Sequence, residues 1–243
     1  SYPAFYLSKF QPAQVLKGKL SIGKTGSTPR KVLVVIQFCI SIVLITGTLV
    51  IHQQINHVKA RDLGYEQGNL LVVEGTADLQ KDYSAVKEQL LNLRVATSVT
   101  RSQSPVTDIY SNNFLDWPGK PTDNKVLFNT LRVDYDYVKT IGARMLLGRE
   151  FSQDFKSDSA AIIVNKTALD IMQLEDPIGT KLKVWDRSFE LIGVVDNLLI
   201  GSLFSDVQPM FMVLHADASN FITIRLAPTD DLQEAINQVQ TVV

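Results

Sequence analysis

From Val32 to Ile51 the chain runs through 20 consecutive residues without a formal charge, most of them Val, Ile or Leu. Coiled as a helix at ~1.5 Å per residue, such a run reaches ~30 Å, the thickness of a bilayer's hydrocarbon core. A buried core helix rarely stays apolar on every face for this length. A secretory signal is also a poor fit: its apolar region is ~7–15 residues and ends at small residues, whereas here Gln53 and Gln54 follow. The sequence therefore predicts a transmembrane helix, and every other element has to be placed on one side of it or the other.

Charge supplies the sides. Residues 1–31 contain Lys9, Lys17, Lys19, Lys24, Arg30 and Lys31 and no Asp or Glu, although the whole chain of 243 residues holds 24 basic against 25 acidic residues. Six basic and no acidic residues before Val32 place that flank in the cytoplasm by the positive-inside rule, and a membrane surface rather than nucleic acid accounts for them. Cys39, the single cysteine, excludes an internal disulfide and reads as a small apolar filler of the helix.

Within the span, Gln37, Ser41 and Thr48 fall within ~40° of one another at 100° per residue and form one polar stripe. A Gln facing hydrocarbon argues for a face packed on other helices. The alternative is that Ser41 and Thr48 bond back to their own helix carbonyls, which leaves only Gln37 unexplained. No proline occurs between Arg30 and Ser104, so the helix can continue past the bilayer. Gln53, Gln54, Ile55, Asn56, His57 and Val58 would then form a projecting stalk about 10 Å long, with Ile51, Ile55 and Val58 keeping an apolar edge.

Beyond Arg61 the pattern changes to short alternating elements. Leu70 to Glu74 reads as a strand, Lys81 to Leu93 as a helix burying Val86, Leu90 and Leu93, and Val95 to Thr100 as a second strand. Near the end, Phe221 to Leu226 reads as a strand. A helix from a Thr229 or Asp230 cap follows, with Leu232, Ile236, Val239 and Val243 along one stripe. Two such units make a split β-α-β fold whose closing strand is missing. Between them, Val126 to Val133, Ala160 to Val164, Lys181 to Trp185, Phe189 to Val195 and Met210 to Leu214 read as strands of an inserted lobe. A short helix begins near Asp134 and ends at Gly142.

Catalytic motifs are weak. Gly18 to Thr25 matches the phosphate-binding pattern G-x-x-x-x-G-K-[ST], but Gly26 and Pro29 deny it the helix whose amides would hold a phosphate. His52, His57 and His215 lack zinc spacing. Asp134 and Asp136 read as helix caps rather than as a carboxylate pair. Asn165-Lys166-Thr167 satisfies the glycosylation pattern, which means little without a eukaryotic secretory context.

Several segments together resemble the FtsX/MacB-like permease subunits of ABC transporters, in the long form whose permease unit is duplicated. SYPAFYLSKFQPAQVLKGK is similar to the cytoplasmic exit of a preceding helix, RKVLVVIQFCISIVLITGTLVIHQQ to the first helix of the second half, and RDLGYEQGNLL to the entry into the extracytoplasmic domain. VDYDYVKTIGARMLLGREFSQDF, AIIVNKTAL, DPIGTKL, FELIGVVDN and SLFSDVQPM follow the order of the family's periplasmic core domain.

The resemblance implies an α+β architecture: a cytoplasmic basic linker (1–30), a transmembrane helix and stalk (31–58), and a periplasmic core domain (59–243). In that domain, lobe A (61–103 plus 216–243) would carry the inserted lobe B (104–215). The chain is expected to be an internal segment of a longer polypeptide, truncated before its closing strand and three further helices. The resemblance further implies an inner-membrane protein with no catalytic residues, cofactor or metal of its own. Its expected partners are an ABC ATPase subunit, membrane lipid, other helices of the same permease or a second copy, and a periplasmic or outer-membrane protein, with no nucleic acid. The alternative is a membrane-anchored sensor whose ectodomain binds a ligand and signals inward.

Overall fold

The computed structural model describes residues 28–59, 61–201, 205–215 and 220–243. The basic linker and the Gly18 to Thr25 match lie outside the described residues, apart from the start of the first helix. The described residues divide into two units, 28–59 and those from Arg61 onward.

The first unit contains helix α1, Thr28–Lys59, which is unbroken over 32 residues. Pro29 sits in its first turn, where the missing N–H would have had no helical partner. Every described side chain from Arg30 to Asn56 is exposed, including Phe38 and Val43 at 64% and 69%. The helix packs on nothing else among the described residues, unlike a core helix, and it is long and apolar enough to cross a membrane. The helix overruns the predicted span at both ends, as the absence of internal Pro allows.

In the second unit, ten strands join one sheet ordered β1-β10-β2-β4-β9-β6-β8-β5, with β3 on β4 and β7 on β8. The first strands are β1 (Leu70–Glu74), β2 (Ala96–Ser102), β3 (Asn112–Phe114), β4 (Leu127–Val133) and β5 (Met145–Gly148). They are followed by β6 (Ala161–Asn165), β7 (Lys181–Val184), β8 (Arg187–Val195), β9 (Met210–Leu214) and β10 (Phe221–Leu226).

Strand β10 lies between β1 and β2, antiparallel to both, so β1 and β2 are the parallel pair of a split β-α-β unit. One face of these three strands is covered by α2 (Ala77–Lys81), α3 (Tyr83–Asn92) and α6 (Leu232–Val242). Leu79, Tyr83, Val86, Leu90, Ala235 and Val239 meet Val99, Ile222, Ile224 and Leu226 there.

Strands β6 and β9 are buried on both faces, which explains their unbroken apolar runs. Alternation splits each strand between two cores. Ile162, Val164, Phe211 and Val213 enter one cluster with Phe128, Leu182 and Leu191. Ala161, Ile163, Met210 and Met212 enter another with Leu131, Val133, Tyr137 and Ile141. The first of these cores lies within a closed ring of strands. From β3 the pairing passes through β4, β9, β6, β8 and β7. It returns toward β3 by reciprocal Asp116 and Lys183 backbone bonds of 2.9 and 2.8 Å.

Four expectations are corrected. The helix expected over Lys81 to Leu93 is two helices, because the Thr76 side chain caps an earlier start by accepting from the Leu79 amide and the chain turns at Asp82; Leu93 caps the end and is exposed. The last helix is capped by Asp231, which accepts from the Glu234 amide at 3.0 Å. That rotates the buried stripe to Ala235 and Val239, and Leu232 and Val243 are exposed. Trp185 is not in a strand: Trp185 and Asp186 both have positive φ (49° and 59°) and form the two-residue turn between β7 and β8. Neither Asp134 nor Asp136 caps with its side chain. Asp136 stands at the N-cap of α4 (Tyr137–Ile141) in a left-handed conformation without a capping bond, because Lys87 holds its carboxylate at 2.7 Å.

Strands β3 and β5 and helix α5 (Lys166–Met172) have no counterpart in the sequence reading. The Asn165 side chain caps α5, accepts from the Met210 amide and donates to the Gln208 carbonyl. It is fully buried, so in the folded protein this residue is closed to glycosylation.

Candidate functional site

The polar stripe of α1 is partly spent on its own backbone. Ser41 Oγ donates to the Gln37 carbonyl (2.9 Å) and Thr48 Oγ1 to the Leu44 carbonyl (2.8 Å). These bonds satisfy the two hydroxyls locally and leave the Gln37 side-chain amide as the exposed polar group of the stripe. Gln53, Gln54, Ile55 and Asn56 are exposed on the last turns, where Asn56 Nδ2 donates to His52 Nε2 at 3.0 Å. The backbone of His57 and Val58 continues α1 to Lys59.

The segment from Arg61 to Asn69, which follows α1 in the chain, is an irregular strap fastened to its domain at several points. The Leu199 amide donates to the Leu63 carbonyl (2.9 Å), the Glu66 amide to the Ile141 carbonyl (2.9 Å), and the Leu226 amide to the Asn69 carbonyl (2.8 Å). Gly64 turns the strap with φ 76° and lies so close to the next loop that a Cβ there would sit 1.8 Å from the Asn197 carbonyl oxygen.

Arg225 binds the strap from β10. Its guanidinium donates to the carbonyls of Thr140 (2.9 Å), Gly68 (2.6 Å) and Glu66 (3.0 Å), and Nη1 lies 3.6 Å from the Glu66 carboxylate. With only 13% of its side chain exposed, one fixed fork of donors collects carbonyls from two segments besides its own strand. Sequence reading missed Arg225, which looks like an ordinary outward-facing residue of an alternating strand. The strap's seat is itself braced: Asn197 Oδ1 accepts from the Thr167 amide and hydroxyl, both at 2.9 Å. Beside it, the hydrogen bond from Arg144 and the Asn197 amide hold the Asp196 carboxyl below its ordinary pKa.

A second polar cluster joins α3 and β2 to the chain entering α4. Arg101 pairs with Asp134 at 3.0 Å and stacks 3.9 Å above the Tyr83 ring, while Lys87 reaches Asp136. Burial, reinforced by Asp134, raises the Tyr83 phenol above its ordinary pKa. Tyr83, Lys87, Arg101, Asp134, Tyr135 and Gln153 line a cleft of about 520 Å³. Its charged groups neutralise one another, an arrangement suited to holding two elements together. No group of three or more His, Cys, Asp or Glu with metal-binding geometry occurs among the described residues.

The family model of the MacB-like periplasmic core domain matches residues 32–242. The chain belongs to that family. The crystal structure of the periplasmic region of MacB from Actinobacillus actinomycetemcomitans superposes with TM-score 0.52 and 15% identity, over 76% of this chain and 87% of that one. The extracellular domain of the noncanonic ABC-type transporter YknZ from Gram-positive bacteria aligns with TM-score 0.45 and 14% identity, covering 68% of this chain and 86% of that chain. No curated protein matches significantly. The MacB-like chain is thus a component of an ABC transporter permease of the MacB/FtsX type, with, among the described residues, one helix long and apolar enough to span a membrane and a mixed α+β domain after it.

Proposed function

We propose that this permease component transmits ATP-driven movement across the bacterial inner membrane, from a separate ABC ATPase subunit to its extracytoplasmic domain. Residues 1–30 lie in the cytoplasm in this reading and residues 59–243 in the periplasm. The observation that carries it is the continuity of α1 through Lys59, followed after one residue by a strap hydrogen-bonded into the domain core. From Arg30 to Asn56 alone there are 27 residues, ~40 Å of helix against a ~30 Å hydrocarbon core.

Gln53 to Val58 are the stalk that projects beyond the lipid, and Gln37 faces another helix of the permease or of a second copy. In this reading 61–103 plus 216–243 and 104–215 are two lobes, joined in the sheet where Ser102 of β2 pairs with Val133 of β4 and by the Arg101–Asp134 and Lys87–Asp136 ion pairs. Substrate export or release would draw on their movement.

Insertion of Gly-Gly after Gln54 tests the mechanism, because two glycines remove stiffness and register from a helix. In the assembled transporter, ATP should change amide exchange in the strap 61–69. The insertion should abolish that change while assembly and the partner's ATPase activity persist. An ATP response that survives the insertion, or that is absent from the unmodified transporter, overturns the proposal.

A further inference from the structure

The ring of strands has an open end. Strands β4 and β9 finish there, β6 and β8 begin there, and the Trp185-Asp186 turn lies beside them. Arg132, Ser159, Trp185, Arg187, Phe189 and His215 surround a cavity of about 240 Å³ at this mouth, with Val213 and Leu214 completing it. Phe189 and Val213 are buried residues of the ring's core, so the floor is apolar. Barrel mouths are recurrent ligand positions, and their usual composition is an apolar wall with a few convergent polar groups.

Two features make this mouth more than a gap between loops. Arg132 shares the inward face of β4 with Phe128, and its guanidinium lies 5.0 Å from the Trp185 ring centre; that of Arg187 lies 5.4 Å from the Phe189 ring centre. Among the described residues neither guanidinium has a carboxylate within 4 Å, so their N–H donors remain for an incoming anion. Trp185 reaches this mouth from the two-residue turn between β7 and β8. Its Nε1 donates to Asn113 Oδ1 (2.8 Å), and Asn113 Nδ2 donates to buried Thr130 Oγ1 (2.9 Å). The ring also makes edge contacts with Phe189 and Phe211. The indole is therefore held in place by one hydrogen bond and two ring contacts, and forms a preset apolar wall for the mouth.

We infer that the mouth binds a small carboxylate with a short apolar body. The carboxylate lies between Arg132 and Arg187, and the body lies against Trp185 and Phe189. Guanidinium forks match the planar carboxylate, whereas a phosphate would set further charge and acceptors against an apolar floor with Ser159 as the one hydroxyl. The cavity is smaller than the ~300–1,000 Å³ of sites for drug-sized ligands, which restricts the occupant to a compact free acid or to the C-terminal residue of a peptide.

The test uses the whole chain in detergent micelles and the fluorescence of its tryptophans. Cyclohexanecarboxylate should give a saturable change, absent from Trp185→Phe and weakened at least ~10-fold in Arg132→Gln and Arg187→Gln, with Arg132→Lys recovering part of the loss. Circular dichroism melts establish that each variant is folded. Ala-Ala-Phe with a free C-terminus, compared with its amide, separates the two sources: binding of the free peptide assigns a peptide terminus, and binding of the free acid alone assigns a solute. The inference is overturned by equal binding of cyclohexanemethanol, by equal or tighter binding of inorganic phosphate, by unchanged affinity in folded Arg132→Gln and Arg187→Gln, or by no saturable response at tens of millimolar.

Discussion

Replacing Gly64 by Ala should loosen the strap from its domain, and the size of the effect follows from the geometry. At φ 76° an alanine enters the left-handed region, which costs ~1–2 kcal/mol. The added Cβ would lie 1.8 Å from the Asn197 carbonyl oxygen and 2.9 Å from its carbon, so backbone must retreat by roughly 1.6 Å to reach ordinary contact. That retreat opens the 2.9 Å bond from the Leu199 amide to the Leu63 carbonyl, a loss of ~1 kcal/mol. The total is ~2–3 kcal/mol, and a domain of this size should melt ~5–10 °C lower.

Gly68→Ala is the matched control, since it lies in the same strap with no atom within 4 Å of the added carbon. It should stay within ~0.5 kcal/mol of the parent chain. Thermal circular dichroism of both variants gives the comparison, and hydrogen exchange at the Leu199 amide shows whether the strap has detached. A Gly64→Ala chain that melts with the control and keeps that amide protected refutes the reasoning.

Asp158 has no exposed side-chain surface and receives Arg149 Nη1 and Nη2, both at 2.7 Å, as well as the Ser152 amide. Burial by itself would raise its pKa, but the Arg149 and Ser152 hydrogen bonds bring it below the usual value. A depressed folded-state pKa contributes stability that is complete above the unfolded pKa of ~4 and is lost as the pH falls through the folded value. Asp158→Asn should therefore cost ~3 kcal/mol near neutrality and flatten the acid limb of a pH series of melts; an unchanged acid limb counts against this assignment. Asp186→Gly relaxes the second positive-φ position of the β7–β8 turn, where glycine is favoured. It gives up only an exposed 3.7 Å approach to Lys183, so the melting temperature should rise by ~2 °C; a fall would show that the Asp186 side chain stabilises the turn.

The elements legible in the sequence are those whose pattern is local. Leu70–Glu74 and Phe221–Leu226 have the bounds that their apolar patterns predict, and Gly142 ends α4 at φ 69°. The buried runs around Ile162 and Phe211 were visible as strands, but the two cores they divide between were not, because neighbours on a sheet come from distant sequence. Strand β5 escaped notice since its side chains are largely exposed and its pairing with β8 follows from tertiary position. Asp134 and Asp136 have the composition of caps, and only the approach of Arg101 and Lys87 from other elements redirects them. The strap and Arg225 escaped for the same reason: backbone carbonyls from Glu66, Gly68 and Thr140 leave no trace in residue identity.

The buried amide of Asn165 also bears on how such a protein is produced. Asn165-Lys166-Thr167 would be recognised by the glycosylation machinery of a eukaryotic secretory host while the chain is still extended. After folding, both ends of the amide are engaged by Ala168, Met210 and Gln208. In that host, oligosaccharide transfer and the docking of β9 compete for one side chain, and a glycan that arrives first leaves no room for the strand.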